Sequence, residues 1–213
     1  MSSQELFEMH QNKKSTKAKT KPSDMAVKVG LLLLLPYILW LSKYDDDYVK
    51  TIHNKAMHLN FDGIMLSFHS LISNANMIVH EAGHGVCYLL PCPQFFTMLN
   101  GTLFQLALPL LFIYYYKKRK NKILTGLGFI WFAQNLVYVA WYMSYSQTPN
   151  LYPFFIEGNN VTHDFWYMFS QLGILEYDWL ISGFVRAAAI VILLSAYFNL
   201  IFIAFIQTQQ QKR

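Results

Sequence analysis

Charge is scarce in this 213-residue chain: Asp, Glu, Lys and Arg make up 14% of it, where a soluble protein carries roughly 25%. The charges gather at the N-terminus, in 43–55 and in "KKRKNK" (117–122), leaving long charge-poor stretches between them. Such stretches can be buried only in lipid or in a helix bundle standing in lipid, which excludes a soluble domain. Cysteine is nearly absent. Cys87 and Cys92 are the only two, so neither a disulfide scaffold nor a thiolate zinc site is indicated. No internal repeat is present. A cleavable leader is not expected either, because the first apolar run is too long for a secretory h-region and lacks an A-x-A site.

What the chain has instead is apolar and aromatic mass, 54% and 17% of its residues. Four runs, 25–42, 95–116, 123–143 and 179–206, have the length and apolarity of spanning helices. Aromatic residues such as Tyr114, Tyr115, Tyr116, Trp141, Tyr142 and Trp179 crowd their ends, as interfacial belts do. The expected fold is an all-α integral membrane bundle over 25–207. A disordered basic arm with five lysines (1–24) precedes it and a polar tail (208–213) follows. The arm suits the cytoplasmic side and anionic lipid headgroups better than a nucleic acid, so lipids and no nucleic acid are the expected partners.

The stretch 64–90 is long enough to span but is studded with polar residues. At 100° per residue, Ser73, His80 and His84 share a narrow arc, flanked by His69, Asn76 and Cys87 and extended by Ser70, Glu81 and Asn74. Apolar residues, among them Phe68, Leu71, Ile78, Val86 and Leu89, fill the opposite arc. The polar stripe is expected to face a protein interior or a wet cavity, since lipid tails offer it no partners. The apolar face is expected to pack into the bundle. If this helix is re-entrant, four spans place the arm, "KKRKNK" and the terminal "QKR" together on the cytoplasmic side. If it crosses, there are five spans.

Within that helix, His80, Glu81 and His84 stand in H-E-x-x-H spacing. Residues i and i+4 project side by side, so the two imidazoles can share one zinc ion. Glu81 lies beside them, where a general base for a metal-activated water belongs. A catalytic zinc needs a third protein ligand, and "VTHDFWYMFSQLGILEYD" (161–178) offers His163, Asp164, Glu176 and Asp178. His163 is the preferred ligand with Asp164 behind it, and Asp164 as ligand is the alternative. A third reading makes the pair a helix start with Asp164 as the cap. His69 lies roughly 16 Å along the helix from His80 and reads as a hydrogen-bonded interior histidine or an entrance residue, not a ligand. His10, His53 and His58 read as solvated, and Cys87 as packing. Gln105 and Asn135 interrupt two apolar spans, and amides in lipid need partners. They join neighbouring helices, or line the cavity and donate to a substrate carbonyl or developing oxyanion.

"HEAGH" inside a multi-span chain resembles the site-2-type intramembrane zinc metalloproteases, the M50-like peptidases. The ordered blocks "HEAGH", "GTLFQLALPLLF", "AQNL" and "HDFWYMFSQLGILEYD" look still more like a group of bacterial integral membrane proteins in which similar blocks recur in this order. The likeness covers about residues 64–180. It implies that Gln105, Asn135, His163 and Asp164 belong with the zinc motif, and it suggests a bacterial inner-membrane location, with the N-terminus cytoplasmic by its lysines. Site-2-type enzymes usually draw their third ligand from an Asp-Gly element on a later helix. None follows the motif here, so His163 or Asp164 would substitute. The expected activity is hydrolysis of a membrane-associated peptide or protein by one zinc ion. The alternatives are a lipid amide or ester hydrolase and a non-catalytic metal-binding sensor or scaffold.

Overall fold

The computed structural model describes residues 22–43, 61–149 and 162–207. Most of the predicted basic arm, the C-terminal tail, His10, His53, His58 and most of the loop before His163 lie outside the described residues. Every regular element among those described is helical: α1 (Pro22–Ser42), α2 (Phe61–Leu89), α3 (Gln94–Lys118), α4 (Lys122–Ser144), α5 (Asp164–Leu172) and α6 (Asp178–Ile201). A short 3-10 turn (Leu175–Tyr177) precedes α6, and a π-helical turn (Phe202–Gln207) extends it.

Four of these elements are long and apolar enough to cross a membrane: α1, α3, α4, and α6 with its flanking turns. They match the four runs expected from hydropathy to within a few residues at each end. The protein is therefore an all-α membrane protein. The main apolar core joins α1, α4 and α6 through residues such as Ile38, Leu41, Ala133, Leu193 and Leu200, all essentially buried. A second cluster, built on Met98, Tyr142, Phe165, Met168 and Phe169, seats the short helix α5 against α3 and α4.

The two ends of the bundle differ in chemistry. α3 ends on Lys117 and Lys118, and α4 starts at Lys122 after a turn whose tip, Lys120, has φ 57°. Asn121 caps α4 by accepting from the Leu124 N–H at 3.0 Å. Lys28 of α1 lies 5.0 Å from the ring centre of Phe205, which places the start of α1 beside the end of α6. At the other end, Asp178 at the start of α6 accepts from the Gln147 backbone N–H (3.1 Å) and side-chain amide (2.7 Å), just beyond α4.

α2 buries its polar stripe: His69, Ser73, Asn76 and His80 are all inside, together with Gly83 and Cys87. The expectation that its apolar face packs into the bundle is corrected. Leu71 and Ile78 are 70% and 73% exposed, and Leu89 is exposed as well. The reason is the solvent: apolar side chains lose nothing by meeting lipid tails, whereas the polar stripe finds hydrogen-bond partners only inside. α2 packs on α3 at Gly83, where an added Cβ would stand 2.5 Å from the Asn100 carbonyl oxygen. The Asn100 side-chain amide donates to the Gly83 carbonyl at 2.7 Å across the same contact.

The cysteines also depart from expectation. Beyond Leu89 the chain turns back, and the Cys92 N–H donates to the Cys87 carbonyl at 3.2 Å. That brings the two Cα atoms to 5.0 Å, within disulfide reach, and the pair is bonded. Two cysteines make no scaffold, but these two staple the turn between α2 and α3.

Candidate metal centre

His80 and His84 lie one helical turn apart on α2, and their Nε2 atoms stand 3.0 Å from each other. Asp164 opens α5, and its Oδ2 lies 2.9 Å from His80 Nε2 and 3.3 Å from His84 Nε2. Three potential ligand atoms from two distant parts of the chain thus form a small triangle. Glu81 sits at its lip: one donor atom each from His80, Glu81 and His84 lie within 4.8 Å of one another. His80 and Asp164 are buried, His84 is half-buried and Glu81 is exposed, so the cluster opens on the Glu81 side.

Hydrogen bonds behind the rings decide which nitrogens face the triangle. The Thr97 backbone carbonyl can only accept, so His84 Nδ1–H donates to it at 2.7 Å. His80 is oriented through a longer chain. The Trp131 carbonyl accepts from Asn135 Nδ2 at 3.0 Å, which turns Asn135 Oδ1 towards Gln105. Gln105 Nε2 donates to that oxygen at 3.0 Å, leaving Gln105 Oε1 to accept from His80 Nδ1–H at 3.2 Å. With both protons on Nδ1, both neutral rings present an Nε2 lone pair to the triangle. Two imidazole lone pairs and a carboxylate oxygen then converge with no hydrogen among them. Only a cation or an added proton reconciles three acceptors at this separation.

The dimensions fit a metal ion. A tetrahedral ion with bonds of about 2.0 Å holds its ligand atoms about 3.3 Å apart. The space is also kept open from the far side. A Cβ on Gly101 of α3 would stand 2.7 Å from His80 Nε2 and 2.6 Å from His84 Nε2. Glycine inside a helix costs roughly 1 kcal/mol relative to alanine, and here it stops the α3 backbone from filling the triangle.

Of the two candidate third ligands, Asp164 and not His163 faces the two histidines. His163 caps α5: its Nδ1 accepts from the Trp166 backbone N–H at 3.2 Å. That uses the Nδ1 lone pair and leaves the ring proton on Nε2, so this neutral ring has no lone pair to give a metal. Burial pushes the His163 imidazole down to about 4, which keeps it neutral. Its ring lies tilted against that of Tyr142 with centroids 4.1 Å apart, and Tyr142 Oη accepts from the Asp164 backbone N–H at 3.1 Å. These contacts aim the Asp164 carboxylate at the histidines. Burial pushes that carboxyl up, but the two imidazoles beside it act the other way and hold the group below the usual range. Of the other candidates, Glu176 is exposed and Asp178 is held by Gln147.

Gln105 and Asn135 are buried behind His80, so they orient a ring and do not line an open cavity. The same polar seam continues along α2. Asn76 Nδ2 donates to Gln134 Oε1 at 3.1 Å, and Gln134 Nε2 donates to Ser73 Oγ at 3.1 Å. Ser73 meets His69 Nε2 at 3.3 Å, and Tyr37 Oη meets His69 Nδ1 at 3.2 Å. Of the two readings of His69, the structure has the interior, hydrogen-bonded one. Sequence reasoning did not find Tyr142, the Thr97 carbonyl or the spacing role of Gly101. Only Gly101 left a signal, as a glycine inside an apolar helix beside a polar stripe.

Fold and site together define an all-α membrane protein with a His80–Glu81–His84 group able to hold a metal ion. Comparison with protein-family models, with curated proteins and with solved structures finds no match. The likeness to site-2-type proteases therefore rests on the residues themselves.

Proposed function

We propose that this protein binds one zinc ion through His80, His84 and Asp164 and hydrolyses an amide bond in a membrane-associated peptide or protein. The observation that carries the reading is the triangle of two Nε2 atoms and one Oδ2, 2.9 to 3.3 Å apart, with no proton of its own. Two nitrogens and one carboxylate oxygen make up a ligand set typical of catalytic zinc, leaving one position for water or substrate. When bound, such an ion lowers the pKa of water to about 7 and polarises a carbonyl. Glu81, exposed at the lip, takes the proton from the attacking water and returns it to the leaving amine. Gln105 and Thr97 hold the two rings in the required tautomers, and Gly101 keeps the pocket floor clear.

In this reading the end of the bundle carrying the site lies on the non-cytoplasmic side of a bacterial inner membrane, with the N-terminus and the lysine-rich end cytoplasmic. The Cys87–Cys92 bond supports that placement, because disulfides persist in oxidising compartments.

Glu81→Gln separates a hydrolase from a metal-binding scaffold. In the hydrolase the variant keeps its metal and loses turnover of a membrane-protein substrate by roughly a hundredfold or more, the usual range for a general base. Full turnover, or an intact cellular phenotype in Glu81→Gln beside a null phenotype in His80→Ala, would identify a scaffold instead.

A further inference from the structure

A groove of about 640 Å³ lies between the first half of α4 and the last turns of α6, at the end of the bundle away from the metal centre. Lys117, Lys120 and Lys122, from the α3–α4 turn, line it together with apolar residues such as Phe129, Val191 and Phe202. None of its lining residues is acidic. Among the described residues, neither Lys117 nor Lys120 forms an ion pair, while Arg119 is turned aside to lie 4.3 Å over the Tyr115 ring. The αL backbone of Lys120 makes the tight reversal that presents lysines from the end of α3 and the start of α4 to one opening.

Most of its walls belong to two helices that are long and apolar enough to span, so in a bilayer the apolar lining would stand among acyl chains and the lysines at the headgroups. An apolar trough there fills with hydrocarbon, and clustered ammonium groups at its mouth select a negative headgroup. We infer that this groove is a binding site for one anionic phospholipid, its phosphate on Lys117, Lys120 and Lys122 and an acyl chain between α4 and α6. This site is separate from the metal centre and stands whether or not the protein is a hydrolase.

The test uses the full-length protein in neutral detergent, titrated with dioleoylphosphatidylglycerol or dioleoylphosphatidylcholine and read by native mass spectrometry. One phosphatidylglycerol should be retained with roughly tenfold or greater preference over phosphatidylcholine, given the effect of each lysine near a headgroup. Lys117→Ala/Lys120→Ala/Lys122→Ala should abolish the preference. Because those lysines also guide insertion, Val191→Trp provides a variant that fills the trough and leaves every charge in place. It should lose phosphatidylglycerol at unchanged helix content by circular dichroism. Equal retention of the two lipids by the wild-type protein, or undiminished binding in the tryptophan variant, would overturn the assignment. Displacement of the lipid by equimolar inorganic phosphate would do the same, by showing that the lysines alone bind.

Discussion

Which nitrogen of each imidazole carries its proton decides what His80 and His84 can hold. The H-E-x-x-H spacing was legible in the sequence because i and i+4 share a helix face, but the tautomers were not, since they depend on acceptors from other segments. Thr97 supplies one acceptor as a backbone carbonyl, which no residue type announces. The choice between His163 and Asp164 was illegible for a similar reason. The two are adjacent, and only the helix-cap geometry shows which ring nitrogen is consumed by Trp166. Gly101 gives the most local test. Gly101→Ala would set a methyl carbon 2.6 to 2.7 Å from both Nε2 atoms. Overpacking of this kind typically costs 1–3 kcal/mol, so metal affinity should fall roughly tenfold or more while the helices persist. Calorimetric zinc titration beside circular dichroism measures both; affinity equal to that of the wild type would mean that the triangle is not where the metal sits.

At the scale of elements, the spans were readable because apolar length is a property of the chain alone, and all four appear where hydropathy places them. The polar arc of α2 was readable too, from its 100° periodicity. Where its apolar arc goes was not. In water that face would seek the core, but in lipid it can stay outside, and Leu71 and Ile78 do. The amides of α3 and α4 show what binds the elements together. Asn135 and Gln105 link the Trp131 carbonyl of α4 through α3 to His80 on α2. Gln105→Leu keeps the volume but removes the acceptor that fixes His80. Loss of such a ring-orienting partner costs about 10–100-fold in metal affinity, and the same titration should show a loss in that range. Replacing Asn135 by Leu should weaken binding less, since Gln105 remains. The reverse order would contradict the direction assigned to the chain.

For the molecule as a whole, charge and function divide between the two ends. α3 runs from Thr97 at the site to Lys117 and Lys118, and α4 returns from Lys122 to Tyr142 beside the site. In the orientation proposed above, the basic end faces the cytoplasm and the metal centre the other side. This orientation predicts a labelling pattern. In a Cys87→Ser/Cys92→Ser background, Arg119→Cys should react with a membrane-impermeant maleimide only after cells are opened. Gln171→Cys, at an exposed position near the end of α5, should react in intact cells. The opposite pattern would invert the orientation and leave the geometry of the site untouched.

The central claim is that His80, His84 and Asp164, and not His163, hold one zinc ion. Its most direct test is metal analysis of the purified protein by mass spectrometry, wild type beside His80→Ala, Asp164→Asn and His163→Ala. His163→Ala removes a helix cap, at a typical cost of about 1 kcal/mol, and should retain its metal. About one zinc per chain is expected in the wild type and in His163→Ala, and less than about half of that in the other two, since each lacks one of three ligands. Metal retained in Asp164→Asn and lost in His163→Ala would contradict it.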